Sequence, residues 1–375
     1  MKYFIVAGEQ SGDLHGSNLV RELVACDNNA EVKCWGGDLM ESAGAEVLMH
    51  YQRTAFMGFV EVARNLRTIR NFLVLCKDQI TRFNPDVVIL IDYPGFNFRI
   101  AEFAKKSGFN VFYYISPKLW AWKEGRVEKV RKYVDRMYII FPFEVDFYKK
   151  HGIAVEYRGN PLLDETEKKL RSFGSKEEVQ KSLGLDNKPV IALLAGSRRS
   201  EVRNILPPML KAVRHFPGYQ FVLAGVRNLP DEVYQQIIGD FPVKLVKEKT
   251  YEILYISEAA LVKSGTATLE TALFGIPEIV CFKGDLISIL IAWIVIRVKY
   301  ISLVNLIAGY EAVKELIQFS LNEKNLVSEL KAILPGGSKR EKILEDYRKI
   351  SEILGPAGAS ERVAEDMVKA LRPRH

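Results

Sequence analysis

The sequence predicts an α/β protein made of two Rossmann-like domains that face a cleft. Short apolar runs alternate with longer stretches of helical periodicity, a pattern typical of parallel sheets covered by helices. This alternation begins twice, each time with an apolar strand followed by a glycine-containing turn, and 375 residues suffice for two domains. Ligands of such sheets bind beyond the carboxyl ends of the strands, so the turns at those ends are candidate sites.

The first series predicts an N-terminal domain over residues 1–160. Its strands are expected at 3–7, 32–35, 87–92, 111–115, 137–140 and 155–157. Its helices are expected at 12–25, 60–83, 98–107 and 127–134. The series ends at Gly159-Asn-Pro161, because glycine and proline interrupt regular structure.

The second series predicts a C-terminal domain over residues 161–337. Its strands are expected at 190–195, 220–224, 243–246, 259–262 and 278–282. Helices are expected at 199–215 and from Thr266 onward. The remaining stretch, 338–375, is charged and helical, and we expect C-terminal helices that can cross back to the N-terminal domain.

Composition limits the class of partner and the compartment. The net charge of +7 and the pI of about 9.0 favour an anionic partner, whether a nucleotide, a phospholipid surface or a nucleic acid. The four cysteines form no CxxC pair and no disulfide framework, which indicates a reducing compartment. The N-terminal apolar run is too short for a signal peptide, and no run reaches the roughly 20 apolar residues that span a bilayer.

The first candidate site is the turn after the first strand, which contains Ser11, Gly12 and Asp13. Small residues at a helix N-terminus can bind a phosphate or a sugar, because backbone N–H groups and the helix dipole attract anions. The alternative is that Ser11 and Asp13 only cap the helix. The turn lacks the GxGxxG pattern and the second strand lacks the acidic residue of dinucleotide sites, so we predict no cofactor.

Two further candidates follow later strands of the first series. Asp92 ends an apolar strand, where a partly buried carboxylate can act as a general base toward a sugar hydroxyl. The alternative for Asp92 is that it caps the following turn. Trp120, Trp122 and Arg126 follow the next strand, and such side chains bind sugars, acyl chains and phosphate. A nucleic-acid patch is the alternative there, but no recognition module is evident, so we expect no nucleic-acid partner.

The second series carries two candidate anion sites. Ser197 and Arg198 follow its first strand, where an arginine can pair with a diphosphate and stabilise charge on a departing nucleotide. A small turn before the helix at 266 is the other candidate, with Glu270 one helical turn further on. The residues of that turn are Ser264, Gly265 and Thr266. A phosphate at the turn and a diol held by Glu270 suit a sugar nucleotide, and the alternative for both turns is a plain capped helix.

Two apolar runs are candidates for contact with a membrane surface. One contains Phe56, Met57, Phe59 and Val60, and the other, 286–296, contains Ile291, Trp293 and Ile294. As a helix the second run is about 16 Å long, too short to cross a bilayer, but the basic residues at its end fit interfacial insertion. The alternative is a buried core helix.

Taken in order, several blocks of the chain resemble those of the lipid-A-disaccharide synthase family. The blocks are AGEQSGD, IDYPGFN, YYISPKLWAWKEGR, FPFE at 141–144, GNPL at 159–162, LLAGSRRSE, KSGTATLE and ISLVNLIAG at 301–309. Each block alone is weakly specific, whereas the ordered set covers most of the chain and is highly specific. The resemblance implies the GT-B glycosyltransferase architecture, which agrees with the two domains predicted above.

The resemblance also implies an activity and a location. Family members join UDP-2,3-diacylglucosamine to 2,3-diacylglucosamine 1-phosphate (lipid X), which gives a β(1→6)-linked disaccharide 1-phosphate and UDP. It implies an enzyme that is peripheral at the cytoplasmic face of the inner membrane of Gram-negative bacteria, or cytoplasmic. It implies no metal held by an Asp-X-Asp motif, and we predict no metal site. Stoichiometry stays open, with a homodimer among the candidate assemblies.

Carried over by position, the resemblance assigns roles to individual residues. Asp92 resembles the essential acidic residue of the family and Arg198 its essential arginine. The turn at 264–270 resembles the UDP-contacting turn, and Asn305 lies in a polar block that we assign to the donor. The chain departs from the family at Val304, where many members have proline, and at Tyr310, where they have arginine. Gly95 replaces an acidic residue of some relatives, which leaves Asp92 as the simpler candidate base.

The expected mechanism is inverting glycosyl transfer. Asp92 removes the proton from the acceptor 6-hydroxyl, while Ser11–Gly12 or the Lys118–Arg126 cluster holds the acceptor 1-phosphate. One competing class is another GT-B sugar-nucleotide enzyme, of the UDP-GlcNAc 2-epimerase or peptidoglycan glycosyltransferase type. The other is a non-enzymatic protein that binds a membrane surface.

Overall fold

The computed structural model describes residues 1–53, 66–122, 124–284 and 299–372, with all their side chains except those of Leu66 and Trp122. It divides into two compact units, Met1–Asp164 with Pro356–His375 and Glu165–Gly355. The chain therefore passes between the units twice, once within the helix Pro161–Ser172 and once after Gly355.

The first unit is built on a parallel sheet. Its strands are β1 (Lys2–Ala7), β2 (Glu31–Gly36), β3 (Glu46–His50), β4 (Val87–Ile91), β5 (Asn110–Tyr114), β6 (Arg136–Ile139) and β7 (Glu156–Tyr157). Within the described residues they lie in the order β3-β2-β1-β4-β5-β6-β7, and Ile5 of β1 pairs with Cys34 on one side and Ile89 on the other. Strand β4 is buried along its whole length, because a parallel sheet is covered on both faces.

Helices connect these strands and cover the sheet. They are α1 (Gln10–Cys26), α2 (Asp38–Ser42), α3 (Leu66–Phe83), α4 (Pro94–Lys106), α5 (Leu119–Trp122), α6 (Val127–Tyr133) and α7 (Phe143–Lys150). Short 3-10 turns occupy Tyr51–Arg53 and Glu124–Arg126. Helix α4 begins four residues before the predicted 98, because Pro94 suits the first turn of a helix, where no N–H donor is needed.

The second unit repeats the plan with another parallel sheet. Its strands are β8 (Val190–Leu194), β9 (Gln220–Gly225), β10 (Val243–Lys247), β11 (Ser257–Lys263), β12 (Glu278–Phe282) and β13 (Lys314–Ile317). Over the part of the chain described, they lie in the order β10-β9-β8-β11-β12-β13. The chain enters this unit along α8 (Pro161–Ser172).

Further helices flank the second sheet, and the last helix of the chain belongs to the first unit. Those of the second unit are α9 (Lys176–Ser182), α10 (Arg199–Val213), α11 (Asp231–Ile238), α12 (Thr250–Ile256), α13 (Thr266–Leu273), α14 (Leu303–Ala308), α15 (Glu323–Ile333) and α16 (Arg340–Leu354), with a 3-10 turn at Gln318–Ser320. Within the stretch 338–375, only the part from Pro356 belongs to the first unit, where α17 (Ala359–Leu371) packs on α1. Asp164 fixes the start of α17 by accepting the N–H groups of Ala359 at 3.2 Å and Ser360 at 3.1 Å.

The predicted fold class of two parallel α/β halves is confirmed, and each predicted strand is present. Strands β3 and β13 were not predicted. Both are edge strands of their sheets, with the sequences EVLMH and KELI. Their apolar runs are only three and two residues long, too short to stand out in a sequence, whereas the edge strands β7 and β10 were predicted.

Candidate active site

The candidates of the first unit lie at the carboxyl edge of its sheet, where the strand order reverses between β1 and β4. In doubly wound sheets this switch point is the usual ligand crevice. Ser11 is exposed in the first turn of α1, and Gly12 lies so close to β1 that an added Cβ would be 3.1 Å from Ala7 Cβ. The first-turn N–H groups of α1 lack intrahelical partners, so this turn suits an anion.

Asp13 has a different environment from Ser11 and Gly12. Its side chain is only 3% exposed, and Oδ1 accepts the N–H groups of Gly37 at 2.7 Å and Met40 at 3.2 Å. Oδ2 accepts the N–H of Leu39 at 3.2 Å. The carboxylate therefore binds the start of α2, and its contact with the acceptor stays a prediction.

Asp92 lies directly after β4 in a strained turn. Its φ is +40° and that of Tyr93 is +46°, a region that residues with a Cβ seldom adopt. The fully buried Asn97 holds the turn, since its Nδ2 donates to the carbonyls of Ile91 at 3.1 Å and Asp92 at 2.8 Å. The Tyr113 hydroxyl also donates to the Asp92 carbonyl. The backbone of Asp92 is thus fixed, while its side chain is half-buried at the sheet edge.

The electrostatic environment of Asp92 makes it a suitable base. Burial raises its pKa to about 6 against the opposing effect of the Lys118 ammonium, and the Glu9 carboxylate adds to the rise. A carboxylate with this pKa is ionised at neutral pH and is more basic than an ordinary aspartate. Geometry and charge therefore fit the predicted role in proton removal.

The loop after β5 carries the aromatic and basic candidates. Trp120 is half-buried, and its ring meets that of Phe143 edge to face, with 5.0 Å between the centroids. The Arg126 guanidinium partly offsets the rise that burial causes in the pKa of Tyr113. Because β5 is the neighbour of β4, these residues share one sheet edge with Asp92. The side chain of Trp122 lies outside the described part of the chain.

The second unit places its first anion turn after β8, where its strand order reverses toward β11. Gly196 has a φ of +109°, and a Cβ there would be 2.5 Å from Glu201 Oε2, so the turn requires glycine. That same oxygen accepts the N–H groups of Ser197 at 3.1 Å and Arg198 at 3.3 Å. Ser197 and Arg198 are exposed, which leaves both side chains at the surface of the turn.

An ion pair joins this turn to the next one. Lys263 ends β11, and its Nζ lies 3.0 Å from Glu201 Oε1. Although burial alone would raise the pKa of Glu201, the Lys263 ammonium and the turn N–H groups hold it below its ordinary value. Glu201 is therefore an ionised link between the loops that follow two adjacent strands.

The turn after β11 presents the start of α13 and the Glu270 carboxylate. Ser264 donates its hydroxyl to the Ile301 carbonyl at 2.7 Å, and its N–H to Cys281, so it fixes the turn. Thr266 is exposed, and Gly265 has no side chain to cap the helix, so the first-turn N–H groups suit a phosphate. Glu270 follows on the same helix.

Tyr251 orients Glu270. Its hydroxyl donates to Glu270 Oε1 at 2.7 Å, and its ring stacks on Phe274 with 5.3 Å between the centroids. Burial raises the pKa of Glu270, and the Tyr251 hydrogen bond opposes the rise. The carboxylate is thus held by one oxygen.

Asn305 is fully buried, and its amide is saturated by protein groups. Nδ2 donates to the Val313 carbonyl and to Glu315 Oε1, both at 2.9 Å. Oδ1 accepts the N–H groups of Ala312 at 2.8 Å and Val313 at 2.9 Å. No hydrogen-bonding group of this amide is left for a ligand, so the predicted donor contact is corrected to a structural clamp. Tyr310, at the position of the family arginine, donates to Asp346 at 2.8 Å.

The candidate membrane contacts lie outside the described residues. They are Phe56, Met57, Phe59 and Val60 in the first run and Ile291, Trp293 and Ile294 in the second. Among the helices that the structure does describe, none has both the length and the apolar character to cross a bilayer.

Four residues of these sites were not predicted. Glu9 lies in the block AGEQSGD and Lys263 in the block KSGTATLE, while Glu201 follows Arg198 at the three-residue spacing of a capping box. The local sequence could therefore have indicated each of the three. Tyr251 had none, because its contact with Glu270 arises only when two helices pack.

The chain matches the family model described as lipid-A-disaccharide synthetase over residues 3–366. A lipid-A-disaccharide synthase of Syntrophus aciditrophicus is 41% identical, over 96% of this chain and 95% of that protein. One of Geobacter metallireducens is 37% identical, over 99% and 97%. One of Coxiella burnetii is 33% identical, over 96% of each. The matches span both units.

Solved structures of lower identity share the fold. A UDP-GlcNAc 2-epimerase from Neisseria meningitidis, bound to UDP-GlcNAc, matches with a TM-score of 0.71 and 17% identity, over 98% of this chain and 100% of that one. The calicheamicin glycosyltransferase CalG4 matches with a TM-score of 0.61 and 14% identity, over 99% and 97%. Likeness at this identity concerns the fold, and it confirms the predicted GT-B class.

Proposed function

The chain belongs to the lipid-A-disaccharide synthase family of glycosyltransferases, and from that membership we propose the reaction it catalyses. The donor is UDP-2,3-diacylglucosamine, the acceptor is 2,3-diacylglucosamine 1-phosphate, and the products are the β(1→6)-linked disaccharide 1-phosphate and UDP. The observation that carries the proposal is the family match over residues 3–366, which includes every candidate turn.

In our proposal the donor binds to the second unit. Its diphosphate lies at the start of α13, against the N–H groups of Gly265 and Thr266, and the exposed Arg198 pairs with it. Glu270 accepts the ribose hydroxyls through Oε2, since Tyr251 engages Oε1.

The acceptor binds to the first unit. Its 1-phosphate is held at Ser11–Gly12 or by Lys118 and Arg126, and Trp120 provides an aromatic surface for the sugar or the acyl chains. The support for this arrangement is that all these groups follow β1 and β5, the strands on either side of β4 and Asp92.

The chemical step is a single displacement at the anomeric carbon. Asp92 takes the proton of the acceptor 6-hydroxyl, the oxygen forms the new bond with inversion, and the bond to UDP breaks with its electrons going to the leaving group. Arg198 and the α13 N-terminus stabilise the negative charge that develops on UDP. The raised pKa of Asp92, about 6, supports its role as base.

A two-substrate assay tests the reaction. Release of UDP only when donor and acceptor are both present supports the transferase, whereas epimerisation of the donor alone indicates the 2-epimerase class. Binding of both lipids without turnover indicates a membrane-surface binding protein. We also propose that the protein stabilises the negative charge on the departing UDP without a metal ion. Activity that EDTA abolishes and Mg²⁺ restores would refute this metal-free account.

We further propose that the enzyme works peripherally at an anionic membrane surface, because both substrates carry acyl chains and the net charge is +7. Co-sedimentation with vesicles of anionic and of neutral lipid measures this, and equal recovery on both would contradict it. Light scattering of the purified chain decides between a monomer and a homodimer.

A further inference from the structure

A buried carboxylate behind the loop of Trp120 has no part in the reaction as proposed. Glu144, in the first turn of α7, is 1% exposed. Its Oε2 accepts the N–H groups of Ile140 at 3.3 Å and Phe141 at 3.1 Å, which holds the turn between β6 and α7. Its Oε1 is also buried and has no hydrogen-bond partner among the residues described.

The indole N–H of Trp120, on the neighbouring loop, is a hydrogen-bond donor close to the Glu144 carboxylate. The Ser116 hydroxyl and the Trp120 indole both lie where they favour the ionised form of Glu144. Trp120 Nε1 is buried and, over the described ranges, makes no hydrogen bond. The ring of Trp120 packs on Phe143, the residue before Glu144, with 5.0 Å between the centroids.

We infer that Glu144 is a positioning residue of the transfer reaction, whose Oε1 accepts the Trp120 indole N–H and so holds this loop against the acceptor. The inference rests on the proposed function, since it takes Trp120 as part of the acceptor site. A hydrogen bond from a buried indole to a carboxylate is strong, because the acceptor is charged and the surroundings have a low dielectric constant. The loop also carries Lys118, whose ammonium acts on Asp92, so its position affects the base.

The titration of Glu144 makes the inference measurable. Burial raises its pKa to about 7, against the lowering effect of the Phe141 N–H and the Ser116 hydroxyl. The other titratable groups that face it are Tyr148 of its own helix and Tyr157 of β7, and burial raises the pKa of both. Glu144 alone among these three changes charge near neutral pH, so we expect the loop to lose its acceptor as the pH falls through about 7.

Steady-state kinetics of Glu144→Gln and Trp120→Phe across pH 5 to 9 test the inference. In the wild type we expect kcat/KM for the acceptor to rise in a step of about tenfold as the pH passes 7, the effect of one charge-assisted hydrogen bond. This step lies above the rise near pH 6 that the ionisation of Asp92 causes. Both variants should lack the step, and at pH 8 their kcat/KM for the acceptor should be about tenfold below that of the wild type. Their KM for the donor should be unchanged. The double variant should be no worse than either single one, because both remove the same bond.

Controls separate this inference from the proposed function. Asp146→Asn, exposed on the same helix, should leave the step intact. A step that persists in Glu144→Gln, or additive losses in the double variant, would overturn the inference. If Glu144→Gln does not fold, Trp120→Phe decides alone, because phenylalanine keeps the packing on Phe143. A wild type without two-substrate activity refutes the proposed function, whereas an active wild type without the step refutes only the role of Glu144.

Discussion

Replacing Asp92 by asparagine should abolish most of the activity and at the same time stabilise the protein. The carboxylate is the proposed base, and loss of a general base lowers kcat by about 10²- to 10⁴-fold. Its pKa rises from 3.8 to about 6 on folding. At 1.36 kcal/mol per pKa unit, the ionised Asp92 carboxylate therefore lowers the stability of the native state by about 3 kcal/mol. Asparagine avoids that charge and also tolerates a φ of +40° better than most residues.

The sign of the pH dependence follows from the raised pKa of Asp92. Below pH 3.8 the carboxyl is protonated in both states, and the wild type and Asp92→Asn have equal stability from this source. Between pH 3.8 and about 6 the native state retains a proton that the unfolded state has lost, so the free energy of unfolding of the wild type falls below that of Asp92→Asn. Urea unfolding should therefore show a gap that widens by about 2 kcal/mol between pH 4.5 and pH 7.5.

Turnover and unfolding measured on the same preparations can refute this reasoning in two ways. Near-normal turnover of a folded Asp92→Asn would exclude Asp92 as the base. A variant that is inactive but no more stable than wild type at pH 7.5 would contradict the burial argument and leave the base assignment in place. Asp146→Asn, on the exposed face of α7, is the matched control and should change neither quantity.

Three further predictions concern other carboxylates. Tyr251→Phe removes the donor to Glu270 and should weaken UDP binding about threefold to tenfold by calorimetry; an unchanged Kd would argue against Glu270 as the ribose anchor. Glu278 is fully buried, and among the described residues neither of its oxygens has a partner. Burial raises the pKa of Glu278, and the Glu315 carboxylate adds to the rise, so the native state keeps a proton that the unfolded state loses as the pH increases. The free energy of unfolding of Glu278→Gln minus that of the wild type should therefore grow from pH 5 to pH 8, and a constant difference would contradict this. Asp164→Ala removes the acceptor for the first N–H groups of α17 and should lower the free energy of unfolding by about 1–2 kcal/mol; an unchanged urea midpoint would show that the cap is dispensable.

The succession of most strands and helices along the chain, and the sheet edges that carry the candidates, could be predicted from the sequence. Central strands such as β4 are continuous apolar runs, and in parallel sheets the loops that bind ligands follow their carboxyl ends. Asp92, Arg198 and Glu270 could be located in this way. The edge strands β3 and β13 could not, since their apolar runs are only three and two residues long.

The direction in which a polar side chain points was the property that the sequence could not show. Asp13 lies in the same block as Ser11, and Asn305 lies in the block at 301–309, yet the side chains of Asp13 and Asn305 bind backbone groups of their own unit. A short polar residue beside a glycine-rich turn can satisfy either a ligand or the backbone, and local spacing is the same in both cases. The long-range pairs Lys263–Glu201 and Tyr251–Glu270 depend on packing, which no single motif encodes.

Strained backbone and carboxyl groups with raised pKa values lie at the carboxyl edges of both sheets. In the first unit Asp92, Tyr93 and Ile115 have positive φ angles of 40°, 46° and 64° at the ends of the adjacent strands β4 and β5. In the second, Glu270 is a carboxylate with a raised pKa at the corresponding edge. Such features destabilise the native state, so their presence where ligands bind in doubly wound sheets favours a functional origin. Glu278 begins β12, at the opposite end of its strand, and this reasoning therefore predicts that its replacement changes stability without changing turnover.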